Sequence, residues 1–459
     1  MPQVLEVDAA VIGTGQAAPS LAVALAQRGE KVALVEGALL GGSCVNSGCT
    51  PTKTLRKSAR VAHLARHAAQ FGVRVGAVEV DFAGAMERMQ AVVDASRNDL
   101  QQWIEGTPNL TLIRGWGAFT GRLDGWFDLV AGDRPLRAKR IYLNTGTRAF
   151  IPPIRGIDGV TALDNVSLLK LRTLPPHLVI LGGSYIGLEM GQIFRRLGSE
   201  VTVIEPGPRI TSREDADVSE AITAMLRDEG VKVLVGQPVD RVEAAGPGVA
   251  VHVGQARIEG SHLLVATGRL PNTQRLHLDL AGVETDERGF VPTNGRLETN
   301  VPGIWALGDI NKRGAFTHTS YQDYQIVLAN HDGGSRTADG RVATYAMYTD
   351  PPLGRVGLTE AEARKSGRAM LVVNWPMKRV SRAREESETT GSIKLLVDAQ
   401  DERIVGATVL GLNGDEVIQV VSNFMATGAS YRVLQEALPI HPTVAEFLPF
   451  VLGKLQPLQ

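Results

Sequence analysis

The chain has 459 residues, room for roughly two to four domains, and its hydrophobic share of 44% and charged share of 21% are ordinary for a globular protein. A net charge of −1 gives no overall attraction to nucleic acid or to a membrane surface, so neither is expected as a partner. The N-terminal sequence lacks the basic region and long apolar run of a signal peptide, and no segment is apolar enough to span a bilayer. The composition therefore predicts a cytoplasmic protein.

The N-terminal segment predicts a strand, a helix and a second strand that together bind a dinucleotide. Residues 9–15 form a buried apolar run that enters a glycine turn, an alanine-rich stretch follows, and the next apolar run ends at Glu36. Gly13, Gly15 and Ala18 have the spacing of a Gly-x-Gly-x-x-Gly loop, with alanine in the third position. Such a loop lets the backbone approach a pyrophosphate, to which the helix N-terminus offers free N–H groups. A single loop of this kind could also be a structural turn.

The only two cysteines, Cys44 and Cys49, lie in the segment GGSCVNSGCTPTKT that follows this unit. In a regular helix they would be separated by about 7.5 Å of rise, whereas a disulfide needs Cα atoms roughly 4.4–6.8 Å apart. A bridge therefore requires a distorted backbone, which Gly48 and Pro51 permit. Two thiols cannot complete a structural zinc site, so no metal site is predicted. The pair is predicted to be redox-active, and the alternative is two inert buried thiols.

Residues 82–104 carry apolar side chains at helical spacing. These positions are Met86, Met89, Val93, Leu100 and Ile104. The stripe predicts a helix that packs against the core.

The plan of the first unit recurs from residue 178, where the loop LGGSYIG contains Gly182, Ser184 and Gly187. Ser184 stands where a second glycine is usual. In both units 23 positions separate the first glycine from an acid at the end of the second strand, here Glu205. Each unit is later followed by a strand that closes on Thr-Gly, first YLNTGTR and then LLVATGR. The repetition predicts two nucleotide-binding domains in one chain.

The pattern changes after residue 340. The segments SIKLLVD and RIVGATVLG alternate in the manner of an antiparallel sheet, and helical patterns follow Asp415. This region is predicted to be a separate α+β unit.

Together these motifs resemble the class I pyridine nucleotide–disulfide oxidoreductases, the group of lipoamide dehydrogenase, glutathione reductase and mercuric reductase. The resemblance covers nearly the whole chain. It includes the cysteine segment with its PTK sequence, the GGSYIGLE loop, IWALGDI at 304–310, TDPPLGRVGLTEAEA at 349–363 and HPTVAE at 441–446. The segments PTKT and TDPPLGRVG are most similar to the mercuric reductase-like bacterial flavoproteins, including the reactive-chlorine-resistance type.

The resemblance implies an α/β fold with two Rossmann-like dinucleotide-binding domains and a C-terminal α+β dimerisation domain. The expected division is 1–147 for the first part of the FAD-binding domain, 148–270 for the NAD(P)-binding domain, 271–340 for the second part of the FAD-binding domain, and 341–459 for the interface domain. The expected cofactors are FAD and NADH or NADPH. Because each active site in this family is shared, we expect a homodimer.

The resemblance also implies which residues form the site. The expected FAD-binding residues are Gly13, Gly15, Glu36, Gly42, Ser43, Lys53, Ala118, Thr145, Gly146, Gly308 and Asp309. The expected NAD(P)-binding residues are Gly182, Ser184, Tyr185, Gly187, Glu205 and Gly268. The expected catalytic residues are Cys44, Cys49, Lys53, Glu189, His441 and Glu446.

Several of these residues carry a specific role in the family. Cys49 would face the flavin and Cys44 would exchange with substrate, while Lys53 would pair with the glutamate of the nicotinamide loop. His441 and Glu446 would form a dyad, supplied by the other subunit, that moves protons to and from the thiols. Tyr185 would be either a gate over the flavin or a packed aromatic residue.

The substrate is left open because the chain departs from each well-known relative. It lacks the C-terminal cysteine pair of mercuric reductases, has Val23 where glutathione reductases have an arginine, and has Pro439 and Ile440 where lipoamide dehydrogenases have a second histidine. We expect electron transfer to a small thiol or disulfide. The alternatives are reduction of a soft metal ion by the same cysteine pair, dihydrolipoamide dehydrogenase activity, and a flavin redox sensor that does not turn over.

The nicotinamide is expected to be NADH. Glu205 at the end of its strand would accept ribose hydroxyls and repel the 2′-phosphate of NADPH. Arg209 and Arg213 follow closely and could reach such a phosphate, so NADPH stays open as the alternative.

Overall fold

The computed structural model describes residues 3–458, and this part of the chain forms 23 strands and 13 α-helices. The strands are β1 (Leu5–Ile12), β2 (Val32–Glu36), β3 (Leu110–Arg114), β4 (Gly117–Leu123), β5 (Trp126–Ala131), β6 (Arg134–Leu143), β7 (Thr147–Ala149), β8 (Ala162–Leu163), β9 (His177–Leu181), β10 (Glu200–Glu205), β11 (Lys232–Val235), β12 (Arg241–Ala245), β13 (Gly248–Val253), β14 (Ala256–Gly260), β15 (His262–Val265), β16 (Arg269–Pro271), β17 (Ile304–Ala306), β18 (Thr344–Met347), β19 (Leu353–Gly357), β20 (Met370–Pro376), β21 (Ser392–Asp398), β22 (Ile404–Leu410) and β23 (Gln456–Pro457). The helices are α1 (Ala18–Gln27), α2 (Gly42–Ser47), α3 (Cys49–Arg66), α4 (Phe82–Glu105), α5 (Asn165–Leu168), α6 (Tyr185–Leu197), α7 (Ala216–Asp228), α8 (Thr317–His331), α9 (Glu360–Lys365), α10 (Ser381–Glu385), α11 (Gly414–Ala426), α12 (Tyr431–Gln435) and α13 (Phe447–Leu452).

The first sheet is built around the N-terminal βαβ unit and has the strand order β3-β2-β1-β6-β5-β4. Strands β1, β2, β3 and β6 run parallel, and β5 and β4 add an antiparallel hairpin. The long strand β6 pairs with β5 along its first half and with β17 along its second half. Because β17 comes from residues 304–306, two distant segments of the chain complete one sheet.

The second sheet is entirely parallel, with the order β11-β10-β9-β15-β8. Leu178, Val179 and Ile180 on its central strand are fully buried, as expected for a parallel strand covered on both faces. The antiparallel sheet β12-β13-β14 packs its valines against one of these faces. The predicted duplication of the βαβ unit is confirmed.

The third sheet is antiparallel, with the order β18-β19-β22-β21-β20-β23. Helices α11 and α13 pack on it and form a separate apolar core. The two segments predicted from their alternating pattern are the neighbouring strands β21 and β22. The predicted α/β fold with a C-terminal α+β unit is confirmed.

Helix α4 supports the cysteine segment from behind. Met86, Met89 and Val93 are buried in one cluster with Leu55 of α3 and Phe194 of α6. The predicted apolar stripe is therefore a core face, and it fixes the position of α3. No helix in residues 3–458 is long and apolar enough to cross a membrane.

Candidate active site

The two glycine loops have matching backbone geometry. Gly13 and Gly182 have φ values of +93° and +111°, in the left-handed region that favours glycine. A Cβ atom on either residue would lie 2.4 Å from a main-chain oxygen, that of Asn144 in the first loop and that of Ala266 in the second. Each of these oxygens immediately precedes a Thr-Gly pair. The close approach explains why each loop begins with glycine.

The two acids at the strand ends are also held alike. Glu36 accepts a hydrogen bond from the amide of Thr14 at 2.9 Å, and Glu205 accepts one from the amide of Gly183 at 2.8 Å. Each carboxylate accepts a second one from the amide two residues after it, at 2.7 Å for Glu36 and 2.8 Å for Glu205. Both acids are half-buried and line a cleft, so their remaining lone pairs can accept hydroxyl groups.

Both loops open into this one cleft, which has a volume of about 1960 Å³. Its lining includes most of the predicted cofactor residues, namely Gly13, Gly15, Glu36, Gly42, Ser43, Lys53, Thr145, Gly146, Gly182, Ser184, Tyr185, Glu205, Gly268 and Asp309. The volume exceeds the roughly 300–1,000 Å³ of a usual single-ligand pocket. The cleft therefore has room for two large ligands.

Three predicted cofactor residues do not line the cleft. Gly187 packs helix α6 on its strand, since a Cβ there would lie 2.2 Å from the oxygen of Gly182. At Gly308 a Cβ would lie 2.6 Å from Ser320 Oγ. Ala118 lies on β4, whereas its neighbour Trp116 lines the cleft.

The first loop fits a pyrophosphate-containing ligand. A Cβ on Gly15 would lie 2.6 Å from Asn144 Oδ1, so this position of the loop requires glycine. That buried oxygen has no hydrogen-bond partner within residues 3–458. The loop leads into α1, a ten-residue helix whose N-terminal amides and dipole favour phosphate. These features are those of an FAD site.

Asp309 lines the same cleft. Its carboxylate accepts a hydrogen bond from Thr147 Oγ1 at 3.0 Å, and burial raises its pKa. A half-buried carboxylate that lines a cleft and has free lone pairs can bind a sugar or ribitol hydroxyl.

The cysteine segment contains the backbone distortion that the sequence predicts. Helix α2 ends at Ser47 and α3 begins at Cys49, because Gly48 adopts φ −133° and ψ −113° between them. A Cβ at Gly48 would lie 2.8 Å from the oxygen of Ser43, so the break also depends on glycine. Both thiols are free and half-buried.

The two thiols differ sharply in acidity. The pKa of Cys49 is lowered to about 6, first because Cys44 donates a hydrogen bond to it, and also through Thr317 and the nearby Lys53. The pKa of Cys44 is raised, because it donates that bond and because it is buried. Thr317 Oγ1 lies 3.2 Å from the Cys49 sulfur, and Cys49 is the first residue of the 18-residue helix α3. These opposite shifts make Cys49 the more acidic sulfur of the coupled pair.

Lys53 and Glu189 form the predicted ion pair. Lys53 lies one turn after Cys49 on α3, and its Nζ is 2.8 Å from Glu189 Oε2. The Glu189 side chain is 9% exposed and also accepts the amide N–H of Tyr348 at 2.8 Å. The Lys53 ammonium lies 4.3 Å from the centre of the Tyr348 ring. The pair therefore places a fixed positive charge next to the cysteines.

Tyr185 is the first residue of α6 and lines the cleft. Its ring centre lies 5.5 Å from that of Tyr345 and 6.4 Å from that of Phe316. Its hydroxyl donates a hydrogen bond to Glu214 at 2.7 Å. Tyr345, Phe316 and Glu214 carried no motif in the sequence.

His441 and Glu446 form a hydrogen-bonded pair outside the cleft. His441 Nδ1 lies 2.9 Å from Glu446 Oε2, and the imidazole is 75% exposed. Leu438 and Ile440, in the same segment, are 96% and 79% exposed. Exposed apolar residues next to an oriented imidazole are typical of a surface that meets another protein chain. Within one chain the dyad and the cysteine pair do not share a cleft.

Two family models match the chain, and both agree with this geometry. The model described as "Pyridine nucleotide-disulphide oxidoreductase" matches residues 7–323, and that of the dimerisation domain of the same family matches residues 343–449. The chain belongs to this family. The resemblance to the class I enzymes is confirmed.

The similar proteins point to one type of activity. The chain is 37% identical to the "Probable pyridine nucleotide-disulfide oxidoreductase RclA" of Escherichia coli K12, over 96% of this chain and 97% of that protein. It is 33% identical to a mercuric reductase of Lysinibacillus sphaericus, over 96% and 81% of the two chains. It is 30% identical to a dihydrolipoyl dehydrogenase of Chlamydia muridarum, over 96% and 94%.

A solved structure shares the fold along the whole chain. The Cu(II) complex of the HOCl-induced flavoprotein disulfide reductase RclA from Escherichia coli matches with a TM-score of 0.89 and 35% identity, over 98% of this chain and 99% of that chain. The chain is therefore an NAD(P)H-dependent flavoprotein disulfide oxidoreductase.

Proposed function

We propose that the enzyme passes two electrons from NADH, by way of FAD, to the Cys44–Cys49 pair and then to a small disulfide. The observation that carries this proposal is the thiol pair itself, in which the pKa of Cys49 is lowered to about 6 beside the Lys53–Glu189 ion pair. Bound FAD supplies the two-electron transfer between the nicotinamide and the sulfurs.

The two cysteines take different roles. Cys49 remains a thiolate at neutral pH because Cys44, Thr317 and Lys53 stabilise its charge. Cys44 holds the proton, which it must lose before its sulfur can attack a substrate disulfide and release the first thiol. The Cys49 thiolate then attacks the Cys44 sulfur, closes the protein disulfide and releases the second product as a thiolate, which takes its proton from solvent. Each substrate disulfide yields two thiols, and the protein dithiol is oxidised.

The proton transfers are assigned to His441 of the partner subunit. Its imidazole is oriented by Glu446 through Nδ1, which leaves Nε2 free to take the proton of Cys44 and to return it to a leaving thiolate. Support comes from its 75% exposure and from the dimerisation-domain match over residues 343–449. We therefore propose a homodimer with two shared active sites.

NADH is the proposed electron donor. Glu205 offers its carboxylate to ribose hydroxyls, and a 2′-phosphate next to it would be repelled. Arg209 donates to the backbone oxygens of Ser212 and Glu214, so it is committed to its own loop. Arg213 is exposed and lines the cleft, and it is the side chain on which NADPH binding would depend.

The division of the chain that we propose follows the sheets. Residues 1–147 and 271–340 form the FAD-binding domain, since β17 joins the first sheet. Residues 148–270 form the NAD(P)-binding domain and residues 341–459 the interface domain.

Reduction of a soft metal ion is the second candidate. The observation that favours it is the similarity to mercuric reductases and to a flavoprotein solved as a Cu(II) complex. The two thiols of this chain are suitable ligands for such an ion. A thiolate-bound metal ion needs a proton-transfer base far less than a disulfide does, so the two functions respond differently to loss of His441.

Steady-state oxidation of NADH by the purified holoenzyme tests the proposal. With a small disulfide as acceptor we expect sustained turnover that both Cys44→Ser and Cys49→Ser abolish. An exposed-surface variant, Thr427→Ser, is the control for handling and flavin content. Turnover with a copper(II) salt but not with any disulfide would move metal reduction to first place. NADH oxidation that is unaffected by either cysteine substitution would contradict the role of the pair.

A further inference from the structure

Glu214 is a buried carboxylate that holds the hydroxyl group of Tyr185. The Glu214 side chain is 0% exposed and accepts hydrogen bonds from Tyr185 at 2.7 Å and from Tyr345 at 2.8 Å, both at Oε1. Arg355, whose side chain is 2% exposed, donates to Oε2 at 3.1 Å. A hydrogen bond from a neutral phenol to a buried carboxylate is stronger than one between neutral groups.

The position of Glu214 is fixed independently of Tyr185. It lies in the connection between β10 and α7, whereas Tyr345 and Arg355 lie on β18 and β19 of the third sheet. Lys394 of β21 binds the residues that follow to the same sheet. Its Nζ lies 3.4 Å from Asp215, at the end of the connection, and 2.8 Å from Asp217, in the first turn of α7. The carboxylate therefore stays in place if the Tyr185 side chain rotates.

Tyr185 lies between the second glycine loop and the redox centre. It directly follows Ser184 of the loop, and Glu189 lies four residues later, one turn along the same face of α6. Glu189 in turn binds Lys53, one turn after Cys49. A dinucleotide that is held by its phosphates at the loop must pass Tyr185 to bring its ring toward Lys53 and Glu189.

We propose that Glu214 is a positioning residue that latches Tyr185 across the nicotinamide path in the resting enzyme. The proposal rests on the proposed function, in which the second loop binds the nicotinamide dinucleotide. When the path opens, Tyr185 gives up one hydrogen bond, and the carboxylate keeps Arg355 and Tyr345. Opening therefore leaves no unpaired buried charge. The free-energy cost of opening stays small enough to be offset by the binding of the nicotinamide.

Only molecules in which the path is open can bind the nicotinamide. The apparent affinity is therefore the intrinsic affinity multiplied by the fraction of open molecules. Removing one hydrogen bond to a charged group should raise that fraction about tenfold. Tyr185→Phe keeps the ring and removes the bond, and Glu214→Asp withdraws the carboxylate but keeps a charge for Arg355. Tyr324→Phe removes an equivalent hydroxyl from a tyrosine that does not line the cleft, so it serves as the control.

The test is anaerobic stopped-flow reduction of the flavin as a function of NADH concentration, together with calorimetric binding of NAD⁺. For Tyr185→Phe and Glu214→Asp we expect the half-saturating concentration of both ligands to fall about tenfold, with little change in the limiting rate. The double variant should resemble either single variant, since both break the same bond. Tyr324→Phe should match the wild type.

The outcomes separate the latch from the function on which it rests. If NADH does not reduce the flavin of the wild-type enzyme, the proposed function is wrong. The latch can then still be tested by the calorimetric affinity of the variants for NAD⁺. Half-saturating concentrations that stay within about twofold of wild type in Tyr185→Phe would overturn the latch. Additive effects in the double variant would also overturn it, because they would mean that Glu214 acts on binding by another route. If Glu214→Asp does not fold, the half-saturating concentrations of Tyr185→Phe and Tyr324→Phe are compared, and this comparison alone tests the latch.

Discussion

Replacing Thr317 with valine should raise the pKa of Cys49. The threonine hydroxyl lies 3.2 Å from the Cys49 sulfur and helps to lower the pKa of that thiol to about 6. A hydrogen bond to a charged group contributes about 1.5–3 kcal/mol, and one pKa unit corresponds to about 1.36 kcal/mol. Because sulfur is a weak acceptor we take the lower end, which gives an increase of about one unit. Since the folded-state pKa is lowered, the thiolate persists as the pH falls until about 6, and in the variant it is lost at a higher pH.

The pKa can be measured by the rate of alkylation of Cys49 with iodoacetamide across a pH series. Both proteins should carry Cys44→Ser, which leaves a single thiol and keeps a hydroxyl donor beside it. Thr223→Val is a suitable control, because its hydroxyl is bonded to Ser219 on the distant helix α7. An unchanged midpoint in Thr317→Val would refute the role of the hydroxyl. A Cys49 pKa near the ordinary value of about 8.5 in Cys44→Ser alone would refute the electrostatic description of the site.

Three further predictions concern the flavin, the nicotinamide and stability. Anaerobic titration of the holoenzyme to the two-electron-reduced state should show a long-wavelength thiolate-to-flavin absorbance that disappears in Cys49→Ser and persists in Cys44→Ser. The reverse result would mean that Cys44 faces the flavin and Cys49 exchanges with substrate. Steady-state kcat/KM should be higher for NADH than for NADPH because of Glu205, and a preference of about tenfold for NADPH would contradict this assignment. Asp350→Asn should lower the free energy of unfolding by about 3 kcal/mol, because the buried carboxylate of Asp350 is bound by three arginines. The control Asp339→Asn changes an exposed carboxylate and should alter the free energy of unfolding by less than about 1 kcal/mol. Similar denaturant midpoints for the two variants would contradict this prediction.

The sequence predicted the parts of the site that lie close together along the chain. The two glycine loops, their acids and the cysteine segment each occupy fewer than about thirty residues, and each contains residues whose backbone or chemistry is unusual. Gly48 is an example, since the break between α2 and α3 could be expected from the distance that a bridge requires. The ion pair between Lys53 and Glu189 was predicted from the family resemblance. In the structure Lys53 Nζ lies 2.8 Å from Glu189 Oε2.

The rest depended on contacts between distant segments. Thr317 lies 268 positions from Cys49 and belongs to no motif, so nothing in the local sequence connects the two. Glu214 stands in the charged stretch SREDAD and belongs to no motif, yet its side chain is fully buried against Arg355. Nothing in the sequence around Trp116 indicates a functional role. In the fold it lines the cleft, and the Arg275 guanidinium lies 4.6 Å from its ring centre.

The proposal that each active site is shared between two subunits can be tested most directly by mixing two inactive variants. His441→Ala removes the base and should lower disulfide turnover by about 10²–10⁴-fold while flavin reduction by NADH stays near normal. Cys44→Ser removes the exchanging thiol. On the proposed arrangement, a heterodimer of the two contains one complete site, formed by the cysteines of one subunit and His441 of the other.

The measurement is disulfide-dependent NADH oxidation after the two variants are unfolded and refolded together. Half of the dimers should be mixed, and one of two sites in each should be complete, so we predict roughly a quarter of the wild-type rate. Recovery should not occur when the variants are refolded separately and then combined. Turnover of small disulfides by His441→Ala alone at the wild-type rate, or no recovery in the mixture, would contradict the account.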